Sequence, residues 1–275
     1  FYSFWIRIRL DNGRREKFMG FRSQYNNALG PYKGGIRFHP DETAETIKAL
    51  SAWMTWKCAL MGLPLGGAKG GIICDPTELS DWELERLSKA YVKKVIKIIG
   101  PWKDIPAPDV YTNSQTMAWM LEAYEKLMKT SAPGAFTGKP VEVGGHEGRI
   151  ESTGKGVVIT TREALKKLKL KPRQVTAIVQ GFGNVGQITA KDYEALGIKV
   201  VGYSDSSGAI FNEKGTKFNR IGSWRLAEGT YDVHAICNSE IDGACSEGEV
   251  MLLDYDDALG KIFGDYSFWL SCLVC

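Results

Sequence analysis

The chain has 275 residues, 44% hydrophobic and 24% charged, and 35 basic against 32 acidic residues leave a net charge of +3. That length suits one large or two ordinary domains, and so weak a basic bias excludes nucleic acid as an expected partner. No apolar run approaches the roughly 18 residues of a membrane span. Arg7, Arg9 and Asp11 interrupt the apolar start, so no signal-peptide pattern is seen and the cytoplasm is the expected compartment.

Phe4, Ile6, Ile8 and Leu10 alternate with Trp5, Arg7 and Arg9, which predicts a half-buried strand. Asp11-Asn12-Gly13 predicts a hairpin turn in which Asn-Gly tolerates positive φ, and a second strand follows from Phe18 to Arg22. Two glycine-rich stretches come next, Gly30 to Pro40 and Pro64 to Gly71, and each reads as a turn carrying a lysine, Lys33 or Lys69. Between them Ala44, Ile47, Leu50, Met54, Cys58 and Met61 recur at helical steps, with Gly62 as the stop. That register puts Lys57 on the apolar side of the helix or its border. The three lysines together read as a cationic pocket for a small dicarboxylate, with Lys33 and Lys57 lowering the pKa of Lys69 by repulsion and desolvation adding to it.

Ile72 to Cys74 predicts a short strand, and Ser80-Asp81-Trp82-Glu83 is a capping box that starts a helix with Leu84, Leu87, Tyr91 and Val95 on one face. Pro106 and Pro108 stiffen the approach to Asp109, which pairs in function with Lys69 as its complementary carboxylate. A helix from Asn113 to about Met128 follows, and the Gly-, Pro- and Ser-rich segment Thr130 to Gly148 marks a domain boundary.

Beyond it a helix from about Thr153 leads to the apolar strand Val175–Val179, then Gly181-Phe182-Gly183-Asn184-Val185-Gly186 and a second helix. A second strand ends at Asp205, 19 positions after Gly186. Strand, glycine turn, helix and acidic residue form the context of a dinucleotide-binding βαβ unit. Gly181 makes the tight turn, Gly183 admits a pyrophosphate at the helix N-terminus, and Gly186 lets helix and strand pack closely. Asp205 would accept from ribose hydroxyls and repel a 2′-phosphate, which favours NAD while leaving NADP open. The Gly66–Gly71 stretch fails as a phosphate loop, because Ala68 precedes Lys69 and Gly70 follows it.

Cys58, Cys74, Cys237, Cys245, Cys272 and Cys275 are scattered and read as reduced thiols, with no metal expected. A four-thiolate zinc site built on Cys237, Cys245, Cys272 and Cys275 is the weaker reading, since its spacing is irregular.

Gly30 to Pro40, Trp56-Lys57, Pro64 to Gly71, Ala107 to Val110, Thr137 to Pro140 and Gly181 to Gly186 lie in one order along the chain. In these stretches the sequence resembles the glutamate dehydrogenase family, within the Glu/Leu/Phe/Val dehydrogenase superfamily, over about residues 6–205. The resemblance implies an α/β substrate-binding and oligomerisation domain over 1–145 and an incomplete Rossmann-like NAD(P)-binding domain over 146–275. It implies reversible NAD(P)-dependent oxidative deamination of L-glutamate to 2-oxoglutarate and ammonia by a homo-oligomer, a hexamer by family habit. Lys33 would bind the side-chain carboxylate and Lys57 the α-carboxylate. Lys69 would activate water, and Asp109 would move protons at the amino nitrogen. Thr153 and Asn184 would hold the nicotinamide carboxamide, with Thr137 beside the cofactor and Arg149 beside the substrate. Gly181, Gly183, Val185, Gly186 and Asp205 would complete the cofactor site. Members selective for leucine or phenylalanine carry an apolar residue at position 33, so Lys33 also argues for glutamate on grounds of charge.

The resemblance thins from about Thr216, and the family's closing segments are expected to be missing. A partial member that only binds nucleotide or assembles with other subunits, or a dehydrogenase of other specificity, are the alternatives.

Overall fold

The computed structural model describes residues 1–205, residues 208–216 and the backbone of residues 251–253. These form two compact units, the first running from Phe1 to Glu147 and the second beginning at Gly148. Both are α/β. The expected cysteine cluster at Cys237, Cys245, Cys272 and Cys275 lies outside the described residues.

The first unit is built on a mixed sheet in the order β1-β2-β4-β3-β5. Its strands are β1 (Tyr2–Arg9), β2 (Arg15–Asn26), β3 (Tyr32–His39), β4 (Gly67–Ile73) and β5 (Asp104–Pro108). β1 and β2 form the expected hairpin, but with Arg9 paired to Arg15 the loop takes five residues. Gly13 N–H donates to Leu10 O and Leu10 N–H to Arg14 O, and Gly13 alone has positive φ, +85°. This is a type I turn closed by a left-handed glycine, so Asn12 never uses the freedom that Asn-Gly suggests.

Both glycine-rich stretches are strands, not turns. β3 and β4 lie at the heart of the sheet and pair in parallel, Ile36 to Gly70 and Phe38 to Ile72. Glycine is depleted in strands because it adds backbone entropy and packs nothing, so the composition points the wrong way. Here the missing side chains are the reason for the residue. A Cβ at Gly67 would collide with Thr55 and the Ser51 carbonyl of helix α1 (Ala44–Leu60), and one at Gly71 would stand 2.9 Å from Ile47 of the same helix. A Cβ at Gly34 would overlap the Ala68 carbonyl. Glycine lets the helix and the strands approach where no side chain fits.

α1 is capped by Thr43 and ends at Met61, followed by Gly62 at φ +63°. Gly62 N–H donates to Ala59 O and Leu63 N–H to Cys58 O, the paired bonds of a Schellman motif. Helices α2 (Asp81–Val95) and α3 (Ser114–Met128) start at the capping boxes Ser80/Glu83 and Asn113/Thr116. Their Leu87, Tyr91, Val95, Met117, Met120 and Leu121 pack with Ile6, Ile36, Phe38 and Ile72 as the core. β5 holds Pro106 and Pro108 because it is an edge strand paired only with β3, where a missing N–H costs nothing.

In the second unit α4 (Arg149–Lys167) and α5 (Asn184–Leu196) accompany the parallel strands β6 (Thr176–Gln180) and β7 (Lys199–Asp205). β8 (Gly208–Phe211) and β9 (Met251–Leu253) extend the sheet in antiparallel fashion. Val158, Leu165, Val179, Ala190, Tyr193, Val200 and Tyr203 form its core. A Cβ on Gly154 of α4 would stand 2.6 Å from Ile188 of α5, so this glycine sets how closely the helices meet. Among the described residues no helix is long and apolar enough to cross a membrane.

Gly34→Ala should lower stability by about 3 kcal/mol through overpacking against backbone. Gly62→Ala, at positive φ but with nothing within 4 Å, should cost only about 1 kcal/mol. Urea midpoints of the two variants compare them directly, and equal losses would refute this role for glycine in β3.

Candidate active site

Side chains alternate across a strand, so Lys33, Gly35 and Arg37 share one face of β3. The parallel register carries Lys69 and Gly71 of β4 onto the same face. β5 pairs Ala107 with Gly35 and ends one residue before Asp109. The Asp109 side chain folds back over Gly35, where a Cβ would stand 2.5 Å from its Oδ2. Lys69 Nζ is thereby brought into a short ion pair with Asp109 Oδ2.

The other oxygen of Asp109 is held from two sides. Arg37 Nε donates to Oδ1 at 3.1 Å and Val110 N–H donates to it at 2.9 Å. The Asp109 backbone N–H donates to Thr112 Oγ1 at 2.7 Å, and that hydroxyl donates to Ile36 O at 2.8 Å. Behind Arg37 stands Glu42, buried, with Oε2 3.6 Å from Arg37 Nε. Signs alternate along the row Glu42, Arg37, Asp109, Lys69.

Lys69 is only 3% exposed. Burial pulls its ammonium below the ordinary lysine range; Asp109 resists that fall and Arg37 adds to it. Burial would push the Asp109 carboxyl up, but the Lys69 charge and hydrogen bond, with those from Val110 N–H and Arg37, hold it below the usual carboxylate range. The like charge acting on Lys69 is therefore Arg37, and burial is the larger cause. This corrects the expectation that Lys33 and Lys57 do the work.

Lys57 sits at the edge of the buried stripe of α1, one residue before buried Cys58, and its side chain is exposed. Of the two expected placements, the apolar side or its border, the structure selects the border. Lys33 is half-buried, and its Nζ donates to Ile105 O at 3.2 Å. Burial raises the Cys58 thiol pKa, and the charges of Lys33 and Lys57 both oppose that rise. Cys74 is pushed up to about 12 by burial, with Asp75 adding to it, and is inert as a thiolate ligand. Among the described residues no three His, Cys, Asp or Glu side chains gather as a metal site.

On the opposite face, fully buried Arg22 binds Asp104 through Nε at 2.8 Å and through Nη2 in a shorter contact. Its Nη1 reaches Gly34 O at 3.3 Å and Gly35 O at 3.4 Å. Gln24 Nε2 adds a bond to Asp104 Oδ2 at 2.9 Å. This strut ties β2, β3 and β5 together directly beneath the Lys69–Asp109 pair.

In the second unit Gly181 has φ +90° and its N–H donates to Ser204 O at 2.7 Å. A Cβ at Gly186 would overlap the Gly181 carbonyl, whereas one at Gly183 would meet nothing within 4 Å. Gly186 thus serves the closeness of the turn and, as expected, of α5 to β6, since the same Cβ would stand 3.3 Å from Val179 Cγ1. The N-terminus of α5 has no side-chain cap among the described residues. Val185 follows in the first turn. Asn184 Nδ2 donates to Ile150 O at 2.8 Å, tying α5 to α4. Thr153 is half-buried on α4, and Arg149, exposed in the first turn of α4, reaches Ser152 Oγ at 3.3 Å. Asp205 closes β7, paired with Gly208. Thr137 belongs to the first unit, where its N–H donates to Pro106 O at 3.0 Å and closes the outer edge of β5.

Residues 1–126 match the profile of the Glu/Leu/Phe/Val dehydrogenase dimerisation domain, and residues 144–259 that of Glutamate/Leucine/Phenylalanine/Valine dehydrogenase. The chain belongs to this family. The second match runs past Asp205, where the motifs of the sequence give out. The catabolic NAD-specific glutamate dehydrogenase RocG of Bacillus subtilis is 52% identical over 210 residues, covering 76% of this chain and 50% of that protein. An NAD-specific glutamate dehydrogenase of Staphylococcus aureus is 48% identical, covering 82% of this chain and 54% of that one. The hetero-hexameric glutamate dehydrogenase of Thermus thermophilus superposes with a TM-score of 0.78 at 37% identity, over 80% of this chain and 53% of that chain. The chain spans about half the length of the curated relatives it matches.

Within this family member, Arg37, Glu42, Arg22 and Asp104 escape sequence reasoning. Arg37 lies inside a motif, but only the β3–β5 register brings it to Asp109. Its alternation with Lys33 across Gly35 is the one signal available beforehand.

Lys69 should titrate below ordinary lysines in ¹⁵N-lysine NMR. Asp109→Asn removes the charge and the hydrogen bond that raise its pKa, so Lys69 should titrate lower still. A rise on this substitution would show that Asp109 does not stabilise the Lys69 ammonium.

Proposed function

We propose that the protein catalyses the reversible NAD(P)-dependent oxidative deamination of L-glutamate to 2-oxoglutarate and ammonia. The observation that carries this reading is a buried lysine of lowered pKa in direct contact with a fixed carboxylate. We assign residues 1–145 to substrate binding and oligomerisation, and residues 146–275 to a Rossmann-like nucleotide-binding domain.

Lys33 takes the side-chain carboxylate of glutamate and Lys57 its α-carboxylate, with Arg149 as a further cation for the substrate. Two cations on the two carboxylates orient the α-carbon, and positioning of this kind supplies a large part of the rate advantage of such a site. Ionised Asp109 removes a proton from the substrate amino group as the α-C–H bond breaks and the C=N bond forms. Neutral Lys69 accepts a proton from the water that adds to the imine carbon, and Asp109 returns a proton to the departing ammonia. The lowered pKa of Lys69 favours the base role.

A bound nicotinamide dinucleotide supplies the hydride acceptor. The turn from Gly181 to Gly186 fits such a group: positive φ at Gly181, open space at Gly183 and an uncapped helix start favour a pyrophosphate. Thr153, Asn184, Val185 and Thr137 complete the set of cofactor contacts. Asp205 favours the ribose of NAD over the 2′-phosphate of NADP, in keeping with the NAD-specific relatives. We propose a homo-oligomer, with the dimerisation-domain match and the hexameric Thermus neighbour in support of a hexamer. The free buried thiols Cys58 and Cys74 suit a reducing, cytoplasmic setting.

Mixed with 2-oxoglutarate, ammonium and NADH, the chain should consume NADH, and NADPH more slowly. Lys69→Ala should reduce kcat on the order of 1,000-fold while calorimetry finds NADH binding unchanged. A flat trace with both nucleotides refutes the reading, and nucleotide binding without turnover selects a non-catalytic relative instead.

A further inference from the structure

Asp109 has two oxygens, and their surroundings differ. Oδ1 accepts from Arg37 Nε at 3.1 Å and from Val110 N–H at 2.9 Å. Oδ2 accepts only from Lys69 Nζ among the described bonds. A carboxylate attached to a strand end rotates about its Cα–Cβ and Cβ–Cγ bonds, and the Val110 N–H alone is a neutral anchor. The Arg37 guanidinium is the charged one, and charge-assisted bonds are about twice as strong.

Arg37 is itself held. Glu42 precedes the N-cap of α1, and its side chain is 1% exposed. Its Oε2 makes no hydrogen bond, yet stands 3.6 Å from Arg37 Nε. Glu42 Oε1 accepts from Thr43 N–H at 3.1 Å, and the Arg37 charge offsets the cost of burying the other oxygen. A Cβ at Gly71 would stand 3.1 Å from Glu42 Cγ. The glycine at that place is thus part of the seat for the glutamate. The four charged groups come from three strands and the entry to a helix: Arg37 from β3, Lys69 from β4, Asp109 from the end of β5, Glu42 from the start of α1.

We propose that Arg37, anchored by Glu42, is a positioning residue that occupies Oδ1 of Asp109 and so reserves Oδ2 for proton exchange with Lys69 and the substrate. This rests on the proposed proton-transfer roles of Lys69 and Asp109. Arg37 also acts on both members of the pair in one direction. Its hydrogen bond favours the ionised carboxylate, and its charge disfavours the ammonium. Both effects hold the pair in the form that accepts protons. Lys69, Arg37 and Glu42 are the charged groups facing Asp109 or its direct partner from the strands and the helix around it.

The test compares the full chain with Arg37→Met, Arg37→Lys and Glu42→Gln. Arg37→Met should lower kcat on the order of 100-fold with KM for 2-oxoglutarate nearly unchanged. The rising limb of its pH–rate profile, which belongs to the coupled Lys69–Asp109 pair, should move up by about one pH unit. Arg37→Lys should restore part of the shift, and Glu42→Gln should lower kcat less than Arg37→Met does. A profile that stays in place, or a loss confined to KM, overturns the proposal. ¹³C-carboxyl NMR of Asp109 provides a second reading independent of turnover. Its titration should move up in Arg37→Met and return with Arg37→Lys. If the unsubstituted chain turns nothing over, the glutamate dehydrogenase reading fails, while an unmoved Asp109 titration is what defeats the role of Arg37. Should Arg37→Met not fold, Arg37→Gln gives the same two readings.

Discussion

Glycine in the two central strands is the constraint on which the first unit depends. Gly34, Gly35, Gly67, Gly70 and Gly71 leave both faces of β3 and β4 bare at successive positions. Into that space come α1 on one face, the hydroxyl of Tyr91 and the Arg22 guanidinium on the other, and the side chain of Asp109 between strands. Each glycine weakens a strand locally, by roughly 1 kcal/mol through backbone entropy. The parallel pairing on both sides of β3 and the core beneath hold the sheet together regardless. A larger residue at Gly35 would push Asp109 aside, and one at Gly67 or Gly71 would push α1 off the sheet.

Charge is buried on both faces of the same strands, and the two groups are solved differently. Arg22 and Asp104 form a fully satisfied pair with Gln24 and two backbone carbonyls, so nothing is left over for chemistry. Such pairs are weak evidence of stability, but losing one partner leaves an isolated buried ion. The Lys69 side is less complete. Its desolvated ammonium has one carboxylate oxygen as partner, and Arg37 binds the other oxygen of the same carboxylate. Perturbed groups of this kind are characteristic of sites that transfer protons.

The second unit relies on glycine in a different way. Gly154 sets the contact of α4 with α5, Gly181 supplies a left-handed turn, and Gly183 leaves open room above an uncapped helix end. Here the local pattern and the local structure agree, because strand, turn and helix are consecutive and the geometry needs no distant partner.

That difference explains what was legible in advance. The amino-acid sequence by itself determined the capping box at Ser80, the start of a helix near Asn113, the stop at Gly62, the hairpin, the β6–turn–α5–β7 unit, the tight turn at Gly181, and the pairing of Lys69 with Asp109 through their shared motifs. These depend on residues a few positions apart or on motif order. Only the tertiary structure decided that the two glycine-lysine stretches are central strands, that Lys57 is exposed, and that Arg37 rather than Lys33 or Lys57 acts on Lys69. Strand register and burial depend on partners far along the chain, such as Arg22 with Asp104 and Arg37 with Asp109. No local pattern carries that information, since a glycine in a turn and a glycine under a helix are the same residue until the helix arrives.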